Sequence, residues 1–288
     1  MTTAATVVKP TSIFDYERWN RELSKIQHTY RSNRPCPHIL LGDVISPISA
    51  LSAAQHFPGP DTEAWIQYKH QNENKSGLAK RDLFPPQLGS IVDELNSPQF
   101  VAWLSELTGI PGLVADDSME GGGLHQSTRG GFLNIHTDFS MHHYHKRWHR
   151  RVNLILYLNP AWQAEWGGAI ELWDTEMKQC VAKYPPFLNH ALIFNTNDKS
   201  LHGFPDPLKC PGKESRKSIA LYYYTVEEDP GFRPKSTDYR ARPGDGLVKS
   251  SLIWLDKTAV DIYSRAKIRF GFSDDLASRV LKLFSRRK

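Results

Sequence analysis

The chain reads as a mainly β protein with flanking helices, and three observations point there. From about residue 130 to 226, short apolar runs alternate with turn residues: GFLNIHTDF, VNLILYLN (152–159), AIELWD, KQCVAKY, HALIFNT and SIALYYYT, broken by Gly167-Gly168, Pro185-Pro186 and the loop around Pro205 to Gly212. About seven short strands at this spacing fit a β-sandwich or barrel. VNLILYLN is apolar almost throughout, as a strand covered on both faces must be. The sequence on either side has helical rather than alternating periodicity.

Taken in order, residues 12 to 30 place Phe14, Trp19, Leu23 and Ile26 on one helical face, PHILLGDVIS reads as a strand, and SPISALSAAQHF reads as a helix behind a serine-proline start. The polar stretch QNENKSGLAKRD reads as a loop. PPQLGSIVDELN and SPQFVAWLSELTG read as two further helices, the second stopped by Gly109 with Pro111 beyond it. After Pro230 the sequence turns to loop, then to helical patterns in DKTAVDIYSRAKIRFG and in DDLASRVLKLFSRR, the latter with Asp274 as its cap. There is no internal repeat. The expected division is a main domain over residues 1–234, with its β core at about 120–228 and its helical support at 12–119, and a loop-and-helix extension over 235–288.

The composition is that of an ordinary soluble protein: 288 residues, 40% hydrophobic, 23% charged and a net charge of +5. A mild basic excess favours anionic partners. Without a zinc finger, an RNA-binding aromatic signature or a long basic arm, no nucleic-acid partner is expected. Cys36, Cys180 and Cys210 are odd in number and far apart, so neither a disulfide framework nor a metal-ligand spacing is expected, and a reducing compartment fits. MTTAATVVKP lacks the pattern of a signal peptide, and no run approaches the ~18 apolar residues of a membrane span. The expectation is a cytoplasmic protein with no transmembrane segment.

His136-Thr137-Asp138 carries the most chemical information. Residues two apart on a strand share a face, so His136 and Asp138 can reach one metal ion together. His202, in SLHGF, can complete the set from a neighbouring strand. Two histidines and one carboxylate on one side of an octahedron form the ligand set of non-haem Fe(II) oxygenases. Alone, H-x-D is a weak signal. It gains weight from Arg216 and Ser218, which alternate onto one face at the start of the last strand and would offer a cosubstrate carboxylate a guanidinium and a hydroxyl, with Tyr157 adding a second hydroxyl. Fe(II) with Asp138 and Arg216 carries two positive charges, which a dianion such as 2-oxoglutarate would neutralise.

H-x-D, the distal histidine in HGF and Arg-x-Ser opening the final strand resemble the Fe(II)/2-oxoglutarate dioxygenases, and LILYLNPAW followed by WGGAIELWD resembles their prolyl 4-hydroxylase-like branch. The likeness is clearest over about residues 120 to 228; PCPHILLGDVIS and TGIPGL extend it toward the N-terminus. The resemblance implies a double-stranded β-helix, a cupin-like jelly roll with N-terminal helices packed on one sheet. It implies that His136, Asp138 and His202 bind Fe(II), and that Arg216, Ser218 and Tyr157 bind 2-oxoglutarate. The implied reaction consumes O₂, turns 2-oxoglutarate into succinate and CO₂ and hydroxylates an unactivated C–H bond, with ascorbate as a candidate reductant. Asp138 argues against halogenation, because the family's halogenases lack that carboxylate. Two departures stand out: Gln126 lies near the place where many prolyl hydroxylases carry a tyrosine, and the spacing from His202 to Arg216 is long. Lys217, the residue type some relatives use as anchor, should point to the other face.

Several further motifs have plainer readings. HHYHKRWHRR (142–151) reads as a basic loop near the site mouth rather than a second metal site, with Lys146, Arg147, Arg150 and Arg151 placed to steer an anionic substrate. Trp173 is expected in the core, while Trp162 and Trp166 are candidates to line a substrate pocket. Gly121 to Gly123 lack the lysine of a phosphate-binding loop and read as a flexible loop near the site. The basic SRRK tail reads as a solvated helix end. The substrate is expected to be a small molecule or a peptide, and a homodimer is compatible with the flanking helices. The alternatives are a cupin-like metalloenzyme that does not use 2-oxoglutarate and a non-catalytic jelly-roll binding module.

Overall fold

The computed structural model describes residues 12–227 and 234–270, with side chains described as far as residue 258. In chain order the elements are α1 (Tyr16–Ser32), β1 (His38–Gly42), α2 (Pro47–Gln55), β2 (Ile66–His70), β3 (Glu73–Leu78), α3 (Pro86–Leu95), α4 (Pro98–Thr108), β4 (Leu113–Ala115), β5 (Gly123–Ser127), β6 (Phe132–Thr137), β7 (Trp148–Tyr157), β8 (Ile170–Trp173), β9 (Cys180–Tyr184), β10 (His190–Asn195), β11 (His202–Phe204), β12 (Arg216–Val226), β13 (Asp238–Tyr239) and α5 (Gly246–Phe270). The helix starts follow side-chain chemistry: Asp15, Ser46 and Ser97 each accept a hydrogen bond from the backbone N–H three residues on. Gly109, at φ +72°, ends α4 in the left-handed conformation that glycine adopts without a Cβ penalty.

All pairings are antiparallel, in the order β1-β10-β7-β12-β5-β3-β6-β11-β8-β9, with β2 on β3, β4 on β12 and β13 on β6. This is the mainly β, nearly closed jelly roll with helices on one face that the sequence led us to expect. β3 turns the sheet on itself. Its C-terminal half pairs with β5 and its N-terminal half with β6, so two layers face each other across a cavity.

The central strands are two-faced. Val152, Leu154 and Leu156 of β7 and Ile219, Leu221 and Tyr223 of β12 join one buried cluster with Trp19, Leu88, Ile91, Phe100 and Leu104 of the helices. The Tyr223 hydroxyl donates to the Leu95 carbonyl at 2.8 Å and ties β12 to α3. The alternate residues, Asn153, Ile155 and Tyr157 on β7 and Arg216, Ser218, Ala220 and Tyr222 on β12, face the other way, into the cavity or against its lining residues. VNLILYLN is therefore apolar on its helix-covered face and mixed on the other.

Four expectations need correction. QNENKSGLAKRD is not a loop: it contains β3 and forms a hairpin with β2. Its polar character reflects the cavity that β3 lines. The stretch read as loop after Pro230 contains β13, which pairs with β6, and the helix expected around DKTAVDIYSRAKIRFG starts earlier, at Gly246. Part of HHYHKRWHRR is strand: β7 already starts at Trp148, and Met141 bridges His149. Gly121 to Gly123 are not a free loop. Gly123 opens β5 at φ +86°, where a Cβ would lie 2.3 Å from the Leu78 carbonyl oxygen, and a Cβ on Gly122 would lie 2.7 Å from that of Ala220. The second C-terminal helical pattern, the Asp274 cap and the SRRK tail lie outside the described residues, as does the segment MTTAATVVKP.

Gly123→Ala should therefore destabilise the protein by about 2–4 kcal/mol, through overpacking and a left-handed backbone. Chemical denaturation measures this, and an unchanged midpoint would show that β3 and β5 can move apart freely.

Candidate active site

His136 is the last but one residue of β6, Asp138 directly follows the end of that strand, and His202 opens β11. The antiparallel register pairs His202 directly with His136, with ring centroids 4.4 Å apart. One ligand atom from each of His136, Asp138 and His202 lies within 4.8 Å of the others, and no other such group of three occurs among the described residues. His136 Nε2 is 3.6 Å from Asp138 Oδ1, and His202 Nε2 is 3.4 Å from Oδ2. Each imidazole is oriented from behind, since Nδ1 of His136 meets the Asn134 carbonyl and Nδ1 of His202 meets the Ser200 carbonyl, both at 2.9 Å. With Nδ1 as donor, Nε2 keeps its lone pair for a metal. Burial pushes the His202 imidazole down to about 4, so it is neutral near pH 7.

Asp138 is held just as firmly. Asn153 Nδ2 donates to its Oδ2 at 2.8 Å, and Arg150 Nη2 lies 3.3 Å from its Oδ1. Arg150 is itself fixed by Nε donating to Asn153 Oδ1 at 2.8 Å and by the Tyr222 ring, 3.3 Å from its guanidinium carbon. Burial opposes the charge of Asp138, but Arg150 and His202 outweigh it and hold the carboxyl well below the usual carboxylate range. The donor set thus comprises two nitrogen lone pairs and an ionised carboxylate, which fits a divalent cation of the Fe(II) type.

Arg216 and Ser218 are buried in the same cavity. The Arg216 guanidinium sits between the rings of Phe204, at 4.3 Å, and Tyr157, at 4.9 Å. Its Nε donates to the Gly168 carbonyl at 2.8 Å and its Nη2 to the Tyr157 hydroxyl at 3.3 Å. Lys217 alternates away and does not line the cavity, as expected. Gln126 donates to Ser215 Oγ at 2.9 Å and supports the scaffold.

Other expected positions fall elsewhere. Arg150 is not a surface charge but part of the Asp138 clamp, and Arg151 pairs with Glu227 at 3.3 Å. Lys146 and Arg147 are exposed. His142 is buried against Asp116 at 3.3 Å, and the histidine run forms no second metal cluster among the described residues. Trp162 packs on Trp166 and beside Leu208 and Cys210, away from the cavity, while Trp173 is buried as expected. Sequence reasoning missed Glu73, Lys75, His125, Asn153, Tyr222 and Tyr239. The last lies tilted against His136, with ring centroids 5.5 Å apart. Polar residues at alternate positions in ENKSGL and GLHQS were the available signal for the strand-borne ones. A wider cavity between α1 and α4, lined by Leu23, Arg31 and Glu106, is remote from this chemistry.

Comparisons with known proteins agree with the geometry. Residues 122–224 match the family described as the 2OG-Fe(II) oxygenase superfamily. A stretch of 79 residues is 34% identical to mouse (Mus musculus) prolyl 3-hydroxylase OGFOD1, covering 26% of this chain and 14% of that protein's length. Among solved structures, a prolyl hydroxylase from Trichoplax adhaerens in complex with a hypoxia inducible factor peptide fragment matches at TM-score 0.52 and 13% identity, over 73% of this chain and 93% of that one. A prolyl 4-hydroxylase from Phytophthora capsici matches at TM-score 0.50 and 15% identity, over 96% and 92%. The fold and site define a jelly-roll protein with a candidate metal centre, and its residues 122–224 are similar to the 2OG-Fe(II) oxygenase superfamily.

Removing the Asp138 clamp should weaken metal binding. Arg150→Met is expected to lower Fe(II) or Co(II) affinity about 10–100-fold, as loss of a group that orients a ligand does. Equilibrium titration checks it, and unchanged affinity would assign Arg150 a packing role alone. The metal-free protein should also be acid-sensitive. Burial and the neighbouring Lys75 push His125 down to about 3. The unfolded chain takes up that proton near pH 6.5. Stability from neutral His125 is thus complete above about pH 6.5 and is lost as pH falls toward 3. His125→Gln should flatten the pH dependence of Tm over this window relative to wild type.

Proposed function

We propose that the chain is an Fe(II)- and 2-oxoglutarate-dependent hydroxylase acting on an unactivated C–H bond. The observation that carries this reading is a single cavity joining the His136, Asp138 and His202 cluster to buried Arg216 and Ser218. His136, Asp138 and His202 would hold the iron, and Arg216, with Ser218 and Tyr157 beside it, would pair with the remote carboxylate of 2-oxoglutarate. Iron and 2-oxoglutarate together supply the oxidising chemistry. The protein's part is to position, neutralise and exclude water. Asn153 and Arg150 keep Asp138 ionised and fixed in direction. Phe204, Ile170 and Tyr157 wall the cosubstrate end with apolar surface, which strengthens each charge–charge contact there.

Prolyl chemistry is supported by the name of the mouse relative, though the matched stretch spans only 14% of that protein. A peptide or small molecule is therefore proposed as substrate, with a prolyl or imino-acid ring as the first candidate. No helix among the described residues is long and apolar enough to cross a membrane. Three free cysteines, two of them buried, favour a cytoplasmic setting that also keeps iron ferrous. We further propose that the extension expected over residues 235–288 borders the site through its described part: β13 pairs with the ligand strand β6, and Asp256 of α5 accepts from Asn72 Nδ2 at 2.6 Å. The flanking helices leave a homodimer open.

Succinate formation should require both Fe(II) and 2-oxoglutarate, and His136→Ala should abolish it while leaving the far-ultraviolet circular dichroism intact. Turnover that survives this substitution would exclude the proposed metal site. Arg216→Ala should raise KM for 2-oxoglutarate about 10–100-fold, the worth of a charged hydrogen bond, and an unchanged KM would place the anchor elsewhere.

A further inference from the structure

The cavity lining is not confined to the neighbourhood of Arg216. Along β12 its lining runs from Arg216 through Ser218 and Ala220 to Tyr222. Six strand residues advance about 20 Å. A short dicarboxylate anchored at Arg216 and reaching the histidines covers only one end. Tyr222 and Lys75 of β3 also line the cavity, near Asp138 and away from the β12 position of the anchor.

Lys75 is an unusual residue to find there. Its side chain is 18% exposed, with Nζ 3.1 Å from Glu73 Oε2 and 5.6 Å from the centroid of the Tyr68 ring. Glu73 is held from its other oxygen by His70 Nε2 at 2.8 Å, and His70 by Asp256 of α5 at 2.7 Å. The ammonium is thus fixed in place at the cavity wall.

The charges around the cavity do not cancel once it is loaded. Lys75 is matched by Glu73, and Arg150 by Asp138. His70 and Asp256 form a further pair on the outer side. The balance expected from the sequence did not count Arg150; with Asp138 taken up by Arg150, the two charges of a divalent metal and the charge of Arg216 meet only the two charges of the dianionic cosubstrate. One positive charge is left over in a buried place, where an uncompensated charge is costly. A substrate that brings a negative group removes the deficit.

Resting on the proposed function, we infer that the prime substrate carries an anionic group, a carboxylate or a phosphate, which pairs with Lys75 on the cavity wall beside Tyr222. Lys75 is then a specificity residue: it selects the acid over its neutral amide or ester and leaves cosubstrate binding untouched. The Tyr222 hydroxyl, which donates to the Gly121 carbonyl at 2.9 Å, fixes the facing wall.

The test is equilibrium binding to the full chain loaded with Mn(II) and 2-oxoglutarate, where no turnover occurs. The probes are matched pairs: amino and imino acids with their primary amides, proline-containing dipeptides with free or amidated C-termini, the same peptides with Glu or Gln beside proline, and phosphate esters with their parent alcohols. These arms separate a terminal carboxylate, a side-chain carboxylate and a phosphate as the source of charge. The expected result is at least ten-fold tighter binding by the charged members of one arm. Lys75→Met should abolish that preference and Lys75→Arg should retain it, with the 2-oxoglutarate affinity unchanged in both. Because Lys75→Met takes away one of the two charged partners of Glu73 and leaves only His70, Glu73→Gln/Lys75→Met provides a second neutral variant. Equal binding of charged and neutral members, absence of binding by every charged probe, or a preference that survives in both neutral variants would overturn the inference. Succinate formation without prime substrate, measured in parallel, reports on the proposed function alone and so separates the two failures.

Discussion

The register between β6 and β11 is the constraint on which the site depends. His136 and His202 are remote in the chain and become neighbours because they are direct partners across that ladder. A slip of one residue would turn either imidazole to the opposite face. The register is held from several sides: β8 pairs with the far edge of β11, β3 and β13 with β6, and the Asn134 side chain donates to the Asn72 side chain. Gly203, next to His202, has no room for a Cβ, which would meet the Leu133 and Asn134 carbonyl oxygens at 2.7 and 2.8 Å. The glycine of HGF thus lets β11 approach β6 closely enough for the histidines to meet.

A second constraint is the two-faced character of β7 and β12. One face is apolar and covered by helices, which provides a rigid support. The other places Asn153, Tyr157, Arg216, Ser218 and Tyr222 in or against the cavity. Burial makes each charge there costly unless matched, and the matches are specific: Asp138 with Arg150, and Glu73 with Lys75 and His70. These pairs also give the cavity its directions, since the same contacts that neutralise Asp138 aim its oxygens toward the histidines.

What could be read from the sequence follows the same division. The helices and the strands of the core were legible because their buried faces leave a periodic apolar trace, as in VNLILYLN and SIALYYYT. His136, Asp138, His202, Arg216, Ser218 and Tyr157 were legible as residue types in a strand context, and the structure brings all six to one place. β3 and β5 were not legible, because Glu73, Lys75 and His125 occupy the positions where an ordinary strand would show apolar residues. Arg150 was misread for a related reason. In a run of histidines and arginines nothing local distinguishes a solvated cation from one buried on Tyr222. Its role is set by Asp138, twelve positions earlier and reached only through the fold.

In the proposed site, two imidazoles and one carboxylate would share a single ferrous ion with room beside it for a chelating keto acid. Anaerobic titration with Fe(II), followed by addition of 2-oxoglutarate, tests this most directly through visible absorption. The expected result is one equivalent of iron per chain, a new charge-transfer band only when both are present, and loss of that band in His202→Ala. Iron binding without such a band, or a band that survives the loss of His202, would contradict it.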